Sequence, residues 1–395
     1  ALERYKLNRS RLKNPKEYRV VLVIIVMTMV SCSLFDKSEE KWDSPFKLLW
    51  SSENFERKGS TQVSSPLTLG DTLVFMSLGG DVALLDQLSG EIKWITHIDS
   101  NTNIQSNVFK SDGHLIFATH TEEVMAFDVE TGEIVWTHEF IEERGGFASN
   151  EIAYIDGKLF ASGRSKTHCL DATTGQLIWS IDFYGNARDV SIYGDDIITS
   201  SDHKVYNSLG VDTSAAGWIH SVNGATGDSL WSLSVNYGVG TIKMAPVIDD
   251  DILYIGTSWR KPFGVQAFDL MTHEELWHYQ LPNSEFICDN GIIADDVLVL
   301  SLAWYMIGGW NKNTGENLWV KELTHNYNWS RIGFDGRYIY YAHGWQLHVI
   351  DPDNGEILHS TFGPNGEHIN MITVTDKRIF INGSPRNMCW TTYGS

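Results

Sequence analysis

The sequence predicts an all-β fold, an eight-bladed β-propeller, from three observations. First, one kind of turn recurs seven times. Its fullest copy reads Ala126-Phe127-Asp128-Val129-Glu130-Thr131-Gly132-Glu133-Ile134-Val135-Trp136, and the others end at Trp94, Trp179, Trp231, Trp277, Trp319 and, with Trp replaced, His359. Successive copies lie 42, 43, 52, 46, 42 and 40 residues apart, a period at which short strands build propeller blades, one per repeat. Second, eight short polar pairs lie midway between these marks: Gly70-Asp71, Asp112-Gly113, Asp156-Gly157, Gly194-Asp195, Asp249-Asp250, Ala294-Asp295, Asp335-Gly336 and Thr375-Asp376. Set between apolar runs, they read as tight hairpins. Third, residues 46–50 (Phe-Lys-Leu-Leu-Trp) look like one more outer strand ahead of the first repeat.

Each part of the repeat has a physical task. The apolar pair before the acid, as in Leu84-Leu85-Asp86 or Val349-Ile350-Asp351, reads as the end of a buried strand. Asp, or Asn at 223 and 311, can accept hydrogen bonds from the backbone of the turn that follows. Gly then takes the left-handed position of a type I turn with a bulge, and the next strand carries Trp outward over apolar surface. His273 stands where the fifth copy needs Gly, which should strain the turn or change its type.

Eight inner hairpins against seven outer ones leave one outer strand missing. The segment 46–50 supplies it if it pairs with C-terminal strands near 369–375, 378–384 and 387–393. Such closure removes the open sheet edges that invite aggregation. Residues 46–395 are then one domain of eight blades, with a monomeric ring expected.

Ahead of the ring, residues 1–19 carry seven Lys or Arg against two Glu, and residues 20–30 are apolar apart from Thr28. Eleven residues are too few for a membrane span, which needs about 20, so residues 1–31 read as a secretory signal. Met29-Val30-Ser31-Cys32 is similar to a bacterial lipobox, which makes Cys32 the expected lipidated residue and 32–45 a polar tether. The chain has a net charge of −20, and removing residues 1–19 makes it more acidic still, which disfavours nucleic acid and anionic lipid as partners. Cys169, Cys288 and Cys389 fall on separate blades, which gives no disulfide framework and points to buried thiols.

The pattern Ala-x-Asp-x-x-Thr-Gly-x-x-x-Trp, complete at 126–136 and nearly so at 169–179 and 267–277, resembles the repeat of pyrroloquinoline-quinone (PQQ)-type propellers. The resemblance extends over the chain after residue 45. It implies one of two branches: quinoprotein alcohol dehydrogenases, or envelope lipoproteins typified by BamB, a non-catalytic scaffold of outer-membrane β-barrel assembly. The dehydrogenase branch carries adjacent cysteines and a Ca²⁺ site beside PQQ, whereas no two cysteines are adjacent here. No spaced acidic cluster specifies Ca²⁺, and the fourteen His show no His-Glu-x-x-His spacing. Asp249-Asp250-Asp251 reads as a solvated turn.

Two sets of residues are candidates for binding. The start of each innermost strand gives Val63, Gln105, Asn150, Arg188, Lys243, Cys288, Trp329 and Asn370, a partly wet channel mouth in which Arg188 and Lys243 are the cations and Trp329 a stacking surface. The longest repeat interval has its excess at residues 203–213, including Lys204 and Tyr206, and the next blade expands at Trp259-Arg260-Lys261-Pro262-Phe263. Aromatic and basic residues on adjacent loops fit the composition of protein-binding hot spots. The expected protein is therefore a lipid-anchored scaffold of the bacterial envelope, in the outer membrane, with a protein partner, no catalytic or metal-binding residues and no cofactor. A PQQ- and Ca²⁺-dependent quinoprotein and a surface glycan-binding lipoprotein are the alternatives.

Overall fold

Alternating apolar patterns and strong turn signals produce eight antiparallel sheets. The computed structural model describes residues 44–395 other than 54–64, 77–79, 99–103, 112, 120–122, 141–151, 164, 184–185, 207–211, 236–240, 243, 259–263, 282–286, 303–305, 324–330, 344, 376 and 385. Seven blades run continuously along the chain. Blade 2, for instance, consists of Ile104–Ser111, His114–Thr119, Glu123–Asp128 and Ile134–Glu139, in that order from the channel outward. In blade 5 the innermost strand is split into Thr241–Ile242 and Val247–Asp249, both paired with Ile252–Ser258.

Blade 8 is composite, as the strand count requires. Leu48–Glu53 pairs antiparallel with Arg386–Thr391, outside Arg378–Ser384 and His368–Val374, with Trp50 opposite Cys389 and Ser52 opposite Asn387. The ring is an eight-bladed propeller closed by its N-terminal strand.

Third strands carry the core because both of their faces are covered. In Asp81–Asp86, Val82 and Leu84 pack with Leu115, Met125 and Phe127 of blade 2, while Ala83 and Leu85 pack with Trp50, Phe380 and Cys389 of blade 8. A period-2 strand thus glues its blade to both neighbours.

The recurring turn follows the sequence reading. Asp128 Oδ1 accepts from the N–H groups of Glu130 (3.0 Å) and Thr131 (2.8 Å) and from Thr131 Oγ1 (3.0 Å), and Gly132 N donates to Asp128 O at 2.8 Å. Those bonds, with the Thr131 N–H first, hold the Asp128 carboxyl below its usual range. Asn223 and Asn311 accept the equivalent bonds. A register shift between Ala126 and Phe127 marks the bulge. His273 does not change the turn type: it takes φ +63° and keeps the bond to Asp269 O at 2.8 Å. Its ring lies 4.6 Å from that of Trp231, a contact that offsets part of the strain of a left-handed non-glycine residue.

Five repeat tryptophans latch one blade to the next by an indole hydrogen bond, and Trp231 meets the next blade through the His273 ring instead. Trp94 Nε1 donates to Val129 O at 2.8 Å, and its ring covers Gly132 so closely that a Cβ there would lie 2.7 Å from the indole. Trp136, Trp179, Trp277 and Trp319 donate likewise to Ala172, Gly224, Lys312 and Pro352. Trp50 closes the circle through Gln87 O and Gly90. His359 replaces Trp where blade 8 has no such turn to receive it, because its fourth strand comes from the N-terminus. Phe46 fills that seam instead, with ring centroids 5.3, 5.9 and 6.0 Å from Trp390, His359 and Tyr393.

Two inner hairpins turn one residue later than the sequence suggested, at 250–251 and 295–296, where Asp250 and Asp295 have positive φ. Ala294 is fully buried and stays in its strand opposite Val297, and Asp249 stays opposite Ile252 with its carboxylate accepting from Lys312 Nζ at 2.8 Å. Core burial holds Ala294 in register, whereas the half-buried Asp249 is held by its ladder and its ion pair with Lys312.

Candidate functional site: the loop face of the ring

Antiparallel order sorts the connections onto two faces. Hairpins between strands 1 and 2 lie with the turns between strands 3 and 4 on a turn face, where Gln87 N donates to Asp71 O and Val129 N to Gly113 O, both at 2.8 Å. The connections between strands 2 and 3 and the starts of the innermost strands lie on the opposite, loop face. Asp gathers on the turn face because it caps those turns, so acidic charge is concentrated there.

The channel-mouth candidates sit at irregular points of the innermost strands. Register shifts fall between Ile104 and Val108, Ala187 and Val190, Ile287 and Gly291, and Ile369 and Met371. These intervals contain Gln105, Arg188, Cys288 and Asn370. At each of these positions the ladder of the innermost strand is interrupted. Val63, Asn150, Lys243 and Trp329 lie outside the described residues, as do Cys32, Trp259, Arg260, Lys261 and Phe263.

Lys204 and Tyr206 are not in a loop. They belong to Asp196–Tyr206, which pairs with Asp212–Asn223 through His203↔Ala216, Lys204↔Ala215, Val205↔Ser214 and Tyr206↔Asp212. The long interval in blade 4 is a two-stranded ribbon, and Trp218 at its foot is 38% exposed.

With this geometry in place, the comparison with known proteins is decisive for the family. The family described as outer membrane protein assembly factor BamB matches residues 47–279, more than half of the chain. The chain belongs to the BamB family. A curated relative, outer membrane protein assembly factor BamB of Francisella salina, is 28% identical over 81 residues, which cover 20% of this chain and 15% of that protein. BamB of Moraxella catarrhalis has a similar fold at 16% identity, with a TM-score of 0.63 over 87% of this chain and 97% of that one. Quinohemoprotein alcohol dehydrogenase of Comamonas testosteroni shares the fold at 11% identity, with a TM-score of 0.67 over 89% of this chain and 77% of that one.

Within this BamB-family ring, the titratable groups with shifted pKa values are held structurally. Burial pushes His220 down to about 4, and the neutral ring bridges Ser201 Oγ and Ser232 Oγ, each at 2.8 Å, with Phe183 4.5 Å away. Cys169 and Cys389 are buried thiols pushed up to about 12, which makes them poor nucleophiles. Among the described residues no group of three or more His, Cys, Asp or Glu is arranged to hold a metal ion.

Sequence reasoning missed a feature of the loop face. Trp345, with φ +70°, stacks on His368 at 4.2 Å and 2° between planes, and its carbonyl accepts from Ile369 N at 3.0 Å. Beside it Glu367 Oε1 accepts from Arg386 Nε (2.8 Å) and Nη2 (2.5 Å). The one local signal was a Trp in a strand 2–3 turn; its partner belongs to the next blade.

Proposed function

We propose that this protein is a non-catalytic scaffold, tethered by a lipid on Cys32 at the outer membrane of a bacterial envelope, that binds a protein partner through the loop face of its ring. Membership of the BamB family carries this reading. Charge distribution supports the choice of face: the Asp-capped turn face repels anionic surfaces, while the loop face bears the blade 4 ribbon, exposed Trp218 and the Trp345–His368 stack. The ring works as a monomer and without a cofactor, holding partners by surface complementarity.

Copurification after membrane extraction tests this. The expected result is capture of barrel-assembly proteins, weakened when Trp259 and Arg260 are both replaced by Ala, with the thermal transition unchanged. Stoichiometric uptake of PQQ with Ca²⁺, followed by dye reduction with an alcohol, would instead establish the quinoprotein and direct attention to Arg188, Lys243 and Trp329. Retention of an envelope polysaccharide in place of protein would establish the glycan-binding alternative.

A further inference from the structure

Seven of the eight equivalent positions on the outer strands hold Trp (Trp50, Trp94, Trp136, Trp179, Trp231, Trp277 and Trp319), and the eighth holds His359, which can take up a proton. Its seam closes on Phe46, which is 3% exposed, with ring centroids 5.9 Å apart; the Tyr393 ring lies 6.1 Å away on blade 8. His359 Nε2 is buried in this aromatic box and has no hydrogen-bond partner. A neutral imidazole suits the box, because it can keep its proton on Nδ1. An imidazolium does not: both nitrogens are then donors, and Nε2–H finds no acceptor there.

The charged and titratable groups of the elements around the seam leave that charge uncompensated. Lys47, next to Phe46, is exposed and a cation itself. On blade 7, Asp353 and Glu356 are exposed on the turn ahead of the His359 strand, Asp351 accepts from Asp353 N at 2.9 Å, and Arg337 stacks 4.7 Å over Tyr338. On blade 8 the titratable neighbour is Tyr393, whose ring packs on Tyr338 at 5.4 Å. Burial is the one cause that shifts His359, and it lowers the pKa.

The N-terminal segment is built to yield in part. Its ladder has a register shift between Leu48 and Trp50, which separates residues 46–48 from the portion that Trp50 pins to Gln87 O. Ahead of the shift, Lys47 N donates to Thr391 Oγ1 at 3.1 Å and Thr391 N to Lys47 O at 3.0 Å.

We propose that the seam between blades 7 and 8 is an acid-operated clasp, in which protonation of His359 expels Phe46 and frees residues 44–48 while Trp50 keeps the ring closed. This goes beyond the scaffold reading and does not depend on it. The five freed residues add about 17 Å of reach to whatever precedes residue 44. They also uncover an aromatic slot lined by His359, Trp390 and Tyr393. Because the closed form binds the proton less tightly than a solvated imidazole, the clasp is fully closed above about pH 6.5 and opens as pH falls below it.

Hydrogen exchange of the full chain at pH 7.5 and 5.5, with rates corrected for intrinsic exchange and read peptide by peptide, is the test. At pH 5.5 the amides of Lys47 and Thr391 should lose protection severalfold, toward a ceiling of about tenfold set by one pH unit below 6.5, while residues 158–182 of blade 3 keep theirs. His359→Phe, which packs alike and does not titrate, should hold the protection of Lys47 and Thr391 constant between the two pH values; His359→Gln serves the same purpose if the Phe variant fails to fold. Phe46→Ala should show the open pattern at both pH values, with blade 3 still protected. Equal protection at the two pH values in the parent, an unchanged pH response in both His359 variants, or parallel loss in blade 3 would overturn the proposal.

Discussion

Trp50 Nε1 donates a hydrogen bond to Gln87 O at 3.0 Å, joining the N-terminal strand of blade 8 to the first turn of blade 1. The same bond links Trp94 to Val129 and Trp319 to Pro352, so the closing strand uses the latch of the internal repeats. What differs is its backing. Within blade 8, Leu48–Glu53 is held to Arg386–Thr391 by ladder bonds and side-chain packing, with no hairpin between them.

Removing that strand should therefore open the ring. Deleting residues 46–50 takes away Trp50 and the Phe46 plug and exposes the edge of Arg386–Thr391, so aggregation and a lower melting temperature are expected. Trp50→Ala alone should cost about 3–5 kcal/mol, the range for a large buried aromatic. An unchanged melting temperature in the deletion would contradict closure by this strand.

The latch also predicts a difference between two glycines of similar backbone. Gly132 and Gly157 have φ of +73° and +76°, but a Cβ at Gly132 would meet the Trp94 indole at 2.7 Å, and one at Gly157 would meet nothing within 4 Å. Gly157→Ala should cost about 1–2 kcal/mol, from left-handed strain alone. Gly132→Ala should cost about 1–3 kcal/mol more, since the indole must shift and lose its bond to Val129 O. Urea denaturation of the two variants measures the difference, and equal losses would show that the ring face imposes no steric demand.

Local chemistry explains why the fold was legible in the sequence and the site much less so. Asp128, Thr131 and Gly132 form their turn from bonds within five residues, so their spacing reports the blade directly. His359 was visible as a departure, but its cause was not, because the strand that deprives it of a partner turn lies some three hundred residues earlier. Lys204 and Tyr206 read as loop because a ribbon beyond the sheet has no core to impose an apolar alternation. Trp345 and His368 meet across a blade boundary, and no periodicity marks such a pair. Asp249 and Ala294 have the composition of a turn but stay in strand, Ala294 because it is fully buried and Asp249 because Ile252 and Lys312 hold it, and neither cause is local.

Anchoring makes a separate prediction. Cys32→Ala should move the protein from the membrane to the soluble envelope fraction, because the apolar run at 20–30 is too short to span a bilayer and the acidic ring gains nothing from anionic lipid. Fractionation with metabolic acyl labelling checks it. Persistent membrane association of an unlabelled variant would assign retention to protein contacts or to the leader itself.

Acid sensitivity should trace in part to His220. Burial lowers its folded pKa to about 4, while the unfolded chain titrates near 6.5, so the unfolded state binds the proton more tightly. Its contribution to stability is complete above about pH 6.5 and is lost as pH falls toward 4. The loss is on the order of 1–3 kcal/mol, because protonation would charge a buried ring that bridges two serine hydroxyls. Asp86, Asp128, Asp171 and Asp269 have carboxyls held below their usual range by turn N–H and hydroxyl bonds, so they add a later loss, beginning near the ordinary carboxylate pKa and continuing below it. Denaturation midpoints at pH 7 and pH 5 should therefore differ in the parent protein and converge in His220→Gln, which keeps a polar partner for Ser201 but does not titrate. If the variant keeps the parent's slope between pH 7 and 5, the acid-sensitive group lies elsewhere, and His138, also lowered by burial, is the next candidate.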